Sequence, residues 1–344
     1  MSANDFCNQL SMDFNVTKNN MTKKMNNNIN TKNIPMTVGG LFAGIGGIEL
    51  GFKNAGFNIL WANEMDKNAC ITYRENHNHK LFEKDLKNLK TNEVEKIDIL
   101  TGGFPCQAFS VAGLRKGFED NRGHVFFEIL RFIDDINPNI IFLENVKNLK
   151  GHDKGNTFKK IVDELEQRGY YLKYEILNSS EYGNVPQNRE RIYIVGFKDK
   201  TTYNNFTFPT PKKLTKKIQD LIDDTVLEKF YYTNSRYYSQ LKAEMKNTDT
   251  VYQWRRVYVR ENKSKLCPTL TANMGTGGHN VPLIIDKKDI RKLTPRECAR
   301  FQGYKDSFIL SDKIAQSHLY KQVGNSVTVP VIEAIAKQIQ KAIQ

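Results

Sequence analysis

The stretch MTVGGLFAGIGGIELGFKNAGFNILWANEMD, Met36–Asp66, reads as a strand, a glycine-rich turn, a helix and a second strand. Met36–Leu41 is a short apolar run, and Gly44, Gly46 and Gly47 follow it. Gly47–Asn54 is amphipathic and stops before Gly56, Phe57–Ala62 is apolar again, and Lys67–Asn76 has a helical pattern. This is the βαβ alternation. It continues through strand-like Ile97–Leu100, helix-like His124–Ile136, strand-like Ile140–Leu143, helix-like Thr157–Arg168 and strand-like Arg191–Phe197. The expectation is an α/β fold, with parallel strands and helical crossovers forming an open, doubly wound, Rossmann-like sheet.

In such a sheet the glycine turn lets the backbone approach a ligand and offers free N–H groups at a helix end. Glu64 closes the following strand, 20 residues beyond Gly44, where an acidic side chain hydrogen-bonds ribose hydroxyls. The glycines do not follow GxGxxG, and Phe42 stands where an aromatic ring can stack on adenine. That disfavours a nicotinamide dinucleotide and favours S-adenosylmethionine (AdoMet), with Asp85 as a third contact.

Three further stretches carry reactive groups. Phe104-Pro105-Cys106-Gln107 follows a strand and two glycines, which places a lone thiol in a loop. A free thiol has a pKa of about 8.5 and remains a strong nucleophile even when mostly protonated. Glu144 closes the strand Ile140–Leu143, at the carboxyl edge where open sheets place their sites. If burial raised its pKa, its carboxylic acid could donate to a ring nitrogen. Asn145 beside it is positioned to orient the loop. Gln187-Asn188-Arg189-Glu190-Arg191 is charge-rich and leads into a β-branched strand.

The 344 residues carry a formal charge of +13, from 51 Lys plus Arg against 38 Asp plus Glu, so an anionic partner such as nucleic acid is expected. Five cysteines form no CxxC pair, which argues against a disulfide framework and against a zinc site; a reducing cytoplasm fits. No apolar run approaches the ~18 residues of a membrane span. Residues 1–35 are asparagine-rich and read as a disordered polar tail. Between residues 201 and 290, 15 Lys plus Arg stand against 9 Asp plus Glu, interleaved with Tyr252, Trp254 and Tyr258, a composition suited to a nucleic-acid surface. The end of the chain reads as a helix with Ile332, Ile335 and Ile339 on one face, returning to the first domain.

Taken together, Leu41–Phe52, Glu64–Asp66, Asp85, Gly102–Ser110, Glu144-Asn145-Val146, Gln187–Arg191, Arg291–Gly303 and Gln322–Pro330 resemble the DNA (cytosine-5) methyltransferases of bacterial restriction-modification systems, in order and in spacing. The resemblance covers almost all of the chain from Met36. It implies an AdoMet-binding catalytic domain over residues 36–203 and 321–344, a smaller, mostly β or irregular target-recognition domain over 204–290, and a hinge over 291–320. It implies that Phe42, Gly44, Gly46, Gly47, Glu64, Met65, Asp85, Leu86, Asn325 and Ser326 hold AdoMet, whose product is S-adenosyl-L-homocysteine, and that no metal takes part.

The implied chemistry is covalent. Cys106 adds to C6 of a cytosine flipped out of the duplex, Glu144 hydrogen-bonds N3 and the exocyclic amine, Arg189 holds O2, and Arg191 supports the carboxylate. C5 then takes the methyl group, a base removes the C5 proton, and β-elimination frees Cys106. Gln107, Ser110, Arg115 and Arg122, in a basic loop expected to close over the DNA, together with Arg255, Arg256, Thr269, Leu270 and Thr271, are the expected DNA contacts. The expected partner is double-stranded DNA, acted on by a cytoplasmic monomer, with a cognate endonuclease sharing the site without a stable complex. Two alternatives are a tRNA cytosine-5 methyltransferase and a non-catalytic DNA-binding homologue.

Overall fold

In the computed structural model, residues 35–104, 124–255, 257–276 and 280–344 are described. Strand β1 (Thr37–Leu41) leads through the glycine turn into helix α1 (Gly47–Asn54), then β2 (Asn58–Asn63), α2 (Lys67–Asn76), β3 (Lys80–Phe82) and β4 (Ile99–Gly103). The chain goes on through α3 (His124–Ile136), β5 (Ile140–Val146), α4 (Asn156–Glu166), β6 (Tyr171–Asn178), the two-residue β7 (Gln187–Asn188) and β8 (Glu190–Phe197). Local chemistry sets several of these ends. Asp66, for example, caps α2 by accepting from the backbone N–H groups of Asn68 and Ala69 at 3.0 and 3.2 Å.

Seven strands form one sheet in the order β3-β2-β1-β4-β5-β8-β6. The first five run parallel, as expected, but β8 pairs antiparallel with both β5 and β6, so the sheet is mixed. Strand β6 was not anticipated. It is an edge strand whose Tyr171, Tyr174 and Ile176 stay exposed between Lys173 and Glu175, so it lacks the apolar signature of its buried neighbours. The boundaries also move: β4 runs on to Gly103 and β5 to Val146, which puts Gly103 opposite Glu144 in register.

The alternating side chains of the sheet feed two cores. Ile141 and Leu143 join Ile129, Ile133 and Ile161 on the α3 and α4 side, while Ile140 and Phe142 join Val38 and Phe52 on the α1 side.

The rest of the chain builds a second, antiparallel sheet, in the order β10-β9-β12-β13, from β9 (Tyr252–Trp254), β10 (Val259–Glu261), β12 (Val281–Ile285) and β13 (Ile290–Lys292). Between them β11 (Cys267–Pro268) pairs with β7 and so links this region to the large sheet. Helices α5 (Pro295–Phe301), α6 (Gln316–Asn325) and α7 (Val329–Ala342) complete the compact unit Met36–Gln344. Ile332, Ile335 and Ile339 of α7 are fully buried beside Phe52, each contributing about 1.5–3 kcal/mol of apolar transfer free energy. The helix thus returns to the large sheet, as its pattern requires.

Cys70, Cys267 and Cys298 are free and buried. Among the described residues no helix is long and apolar enough to cross a membrane.

Candidate active site

The carboxyl ends of β1, β2, β4 and β5 open on a cleft of about 350 Å3 lined by Phe42, Gly44, Glu64, Glu144, Arg189, Arg191, Gln322 and Asn325 among others. Its cofactor side is built by the glycine turn. Gly44 (φ 59°) has nothing within 4 Å of where a side chain would begin, so its backbone faces open space. Gly46 (φ 84°) has the opposite constraint: a Cβ there would lie 2.1 Å from His77 Nε2. That imidazole sits 3.3 Å from the Ile45 carbonyl, and burial together with His79 lowers its pKa to about 4, so a neutral ring braces the turn from behind.

Glu64, one residue past β2, ties the turn to the neighbouring strand. Its Oε2 accepts from Gly44 N–H at 2.7 Å, and its Oε1 from the N–H groups of Met65 (2.8 Å) and Asp66 (2.7 Å). An ionised carboxylate offers about four acceptor positions, so three bonds leave room for a hydroxyl. Across the cleft Gln322 Oε1 accepts from Thr72 Oγ1 at 2.9 Å, while its Nε2 is buried without a partner among the described residues. An open glycine backbone, a carboxylate with one site spare and an orphaned amide donor fit a ribose and a charged amino-acid tail, so the residues present suit AdoMet.

The opposite wall carries Glu144. Its Oε1 lies 3.1 Å from Arg191 Nε, and a Cβ on Gly103 would meet its Oε2 at 3.2 Å. Burial raises the Glu144 pKa, and Arg191 and then Arg189 oppose the rise. That rise favours the protonated carboxyl, the form that can donate a hydrogen bond. Arg191 Nη1 donates to the Glu190 carbonyl at 2.8 Å, which leaves Nη2 without a partner among the described residues. Asn145 donates from Nδ2 to the Phe104 carbonyl at 2.8 Å and accepts the Val146 N–H at 2.8 Å, so it anchors the last described residue before Pro105-Cys106 to the strand bearing Glu144.

Several of the expected site residues have their polar groups engaged within the fold. Arg189 is only 2% exposed, and it donates from Nη1 to the Leu270 carbonyl at 2.9 Å and from Nη2 to the carbonyls of Gly324 and Ser326. Among the described residues only its Nε is unpartnered, so most of this guanidinium's donors are spent on backbone carbonyls although it lines the cleft. Leu270 is buried in an apolar cluster with Ile45 and Phe301, and its N–H and carbonyl are taken by Gln187 and Arg189.

Of the residues assigned to AdoMet, Phe42, Gly44, Glu64 and Asn325 line the cleft. Gly46, Gly47, Met65, Asp85, Leu86 and Ser326 do not. Asp85 accepts the Lys87 N–H at 3.0 Å, Leu86 is in the core, Ser326 Oγ pairs with Tyr304 OH at 2.6 Å, and Met65 is 64% exposed beside Glu64. Gln322 lines the cleft too, inside the segment Gln322–Pro330 but outside the residues assigned to AdoMet. So does Lys321, which pairs with Asp66 at 2.7 Å on the rim and carries no sequence signal.

Arg255, Thr269 and Thr271 line a second cleft. Cys106, Gln107, Ser110, Arg115, Arg122 and Arg256, like the tail 1–34, lie outside the described residues. Among the described residues no group of His, Cys, Asp or Glu is arranged to hold a metal ion.

A family model described as C-5 cytosine-specific DNA methylase matches residues 36–341. The Type II methyltransferase M.Bsp6I of Bacillus sp. (strain RFL6) is 58% identical over 89% of this chain and 99% of its own length. The Type II methyltransferase M.HhaI of Haemophilus parahaemolyticus is 37% identical over 87% of this chain and 92% of its own. The crystal structure of S. pombe Dnmt2 methyltransferase superimposes with a TM-score of 0.72 over 90% of this chain and 99% of its own, at 20% identity, a likeness of fold.

Proposed function

The chain belongs to the C-5 cytosine-specific DNA methylases, and from that premise we propose that Cys106, Glu144 and Arg191 carry its chemistry while the Gly44–Glu64 side of the cleft holds AdoMet. The observation that bears most weight is the one-sided pairing of Glu144. Burial keeps its pKa up, only one oxygen meets Arg191, and the group faces the cleft that contains the glycine cradle.

Phe42, Gly44, Glu64, Gln322 and Asn325 would hold the cofactor. AdoMet supplies an electrophilic methyl carbon to C5 and leaves as S-adenosyl-L-homocysteine. Cys106 thiolate forms a bond to C6, and the C5–C6 π pair becomes available at C5 as an enamine. Glu144, in its protonated form, donates to N3 and accepts from the exocyclic amine, which stabilises the charge that develops as sulfur adds. Arg191, with Nη2 free and its guanidinium already against Glu144, is better disposed than Arg189 to meet O2. After methyl transfer a base takes the C5 proton, the C6–S bond breaks, and the thiolate and the aromatic ring are restored. The cytosine must leave the stack for any of these groups to reach it.

The substrate is double-stranded DNA, to which the charge of +13 is suited. The chain acts as a cytoplasmic monomer, and as the protective half of a restriction-modification pair it shares a site with an endonuclease without binding it stably. Residues 36–203 with 321–344 form the catalytic domain, 204–290 the recognition domain and 291–320 the hinge. The test is to map 5-methylcytosine in a plasmid from a methylation-free host expressing the chain, beside Cys106→Ser. The expected result is one methylated motif that the variant loses completely. A clean plasmid from soluble wild-type protein, or an unimpaired variant, overturns the reading, and the former redirects it to RNA.

A further inference from the structure

Glu49 is a buried acid that the chemistry above leaves unused. It belongs to the first turn of α1, directly after the glycine turn, and its side chain lies under β1. A Cβ on Gly40 would come within 2.0 Å of Glu49 Oε1, so the strand carries no side chain there and the carboxyl fills that place. Phe42 and Gly44, a few residues on, line the cleft, while Glu49 itself is buried inside the wall at 1% exposure.

Nothing positive answers this carboxyl. Among the described residues its Oε2 has no hydrogen-bond partner, and no lysine or arginine pairs with it. The titratable groups that face it are Glu64 past β2, Tyr73 on α2 and Tyr304 after α5. The Tyr304 hydroxyl is paired with Ser326 Oγ at 2.6 Å, and that of Tyr73 with His79 Nε2 at 2.5 Å. The imidazoles of His77 and His79, which meet the Tyr73 ring, are neutral at pH 7 because burial lowers both to about 4. One acid and two phenols therefore surround Glu49, and burial, opposed by its own backbone hydrogen bond and aided by Glu64, pushes its pKa up to about 8.

Glu64 lines the cleft, and its charge is felt at Glu49. Coulomb interaction is mutual and changes sign with the charge, so a cation in the same cleft draws the Glu49 carboxyl toward its ionised form. AdoMet and S-adenosyl-L-homocysteine (AdoHcy) share their adenosyl, amino and carboxylate groups, but the first has a sulfonium where the second has a neutral thioether. Only the methyl donor brings the extra positive charge.

Building on the AdoMet-binding reading above, we propose that Glu49 is the specificity-determining residue that tells cofactor from spent product by charge, shedding its proton when the sulfonium enters the cleft and keeping it when the thioether does. The carboxyl O–H bond breaks, the proton passes to solvent, and a carboxylate is left to attract the sulfonium through the glycine cradle. Once the methyl group has gone that attraction goes with it, so the product is held more weakly than the cofactor. Because binding expels a proton, AdoMet affinity rises with pH up to the free-enzyme value of about 8 and levels off above it.

The test titrates full-length wild type and Glu49→Gln with AdoMet and with AdoHcy by calorimetry at pH 7, in two buffers of different ionisation enthalpy, which counts released protons without turnover. The wild type should release more protons with AdoMet than with AdoHcy. Glu49→Gln cannot ionise, so it should abolish that excess, weaken AdoMet about 10-fold and bind AdoHcy as before. Protons from the ligands' own amino groups are common to both proteins and cancel in the comparison. An excess that survives in Glu49→Gln, no excess in the wild type, or equal weakening of both ligands, the mark of a merely structural role, overturns the proposal. Should the variant not fold, the two wild-type titrations still decide. Failure of the wild type to bind either ligand refutes the AdoMet reading itself, and this proposal with it.

Discussion

Two arginine–carboxylate pairs in this molecule, one fully buried and one at the edge of a cleft, are built from the same groups and do opposite things. Arg291 and Glu297, both with fully buried side chains, meet through two parallel bonds, Nη1–Oε2 at 2.9 Å and Nη2–Oε1 at 2.8 Å. Arg291 Nε reaches Asp286 at 2.5 Å, and the carboxylate also accepts the N–H groups of Thr294 (2.7 Å) and Asp223 (2.8 Å). Every strong valence is used, and the pair welds β13 to α5. Arg191 and Glu144 share one contact at 3.1 Å, with an Nη2 and a carboxyl oxygen left over beside a cleft. Saturation makes a structural joint, whereas unspent valence, kept dry enough to shift a pKa, makes a site that can do chemistry.

The largest effect should come from breaking the saturated pair. Arg291→Ala strands two carboxylates in the interior, and unfolding in urea should show a loss of about 3–5 kcal/mol. A loss well below that would mean the weld is idle and the contrast false. Next comes Glu144→Gln. It removes the transferable proton but keeps the shape, so single-turnover methyl transfer should fall about 10²- to 10³-fold with the melting temperature little changed. If stability collapsed while the rate held, Glu144 would be a joint like Glu297.

Glu49 sharpens the comparison as a third case, with no cation paired to it among the described residues. It is 1% exposed, its Oε2 has no partner among the described residues, and burial, aided by Glu64 and opposed by its own backbone hydrogen bond, pushes its pKa up to about 8. The folded value lies above the unfolded 4.5, so the native state binds the extra proton between them, and stability must fall as pH rises through that window. Relative to wild type, Glu49→Gln should gain about 1–3 kcal/mol between pH 5 and 8, read from denaturation at each pH. A parallel pH dependence in the two proteins would show that Glu49 is already ionised and paired.

Much of this was legible along the chain. The helices Gly47–Asn54 and Lys67–Asn76 begin and end where glycines, the Asp66 cap and apolar spacing place them, because those signals act within a few residues. The glycine turn and Glu64 are found together for the same reason: consecutive parallel strands bring a βα turn and the next strand end side by side. Strand β6 escaped notice because an exposed edge needs no apolar alternation. The direction of β8 escaped because periodicity carries no sense of direction. Arg189 and Arg191, two residues apart with the same charge, could not be told apart in a list of letters; only burial shows that one is spent on carbonyls from residues 270, 324 and 326 and the other is not.

The sequence by itself determined the family, the order of the βα units and the types of reactive group, since these follow from local pattern and from side-chain chemistry. Tertiary structure alone decided which groups have valence to spare. Glu144 faces Arg191, Gln322 keeps a free donor, and Arg255 is held by Asn280 across 25 residues of chain. Whether a donor or acceptor is satisfied depends on everything packed around it, and that sum exists only after the chain has folded.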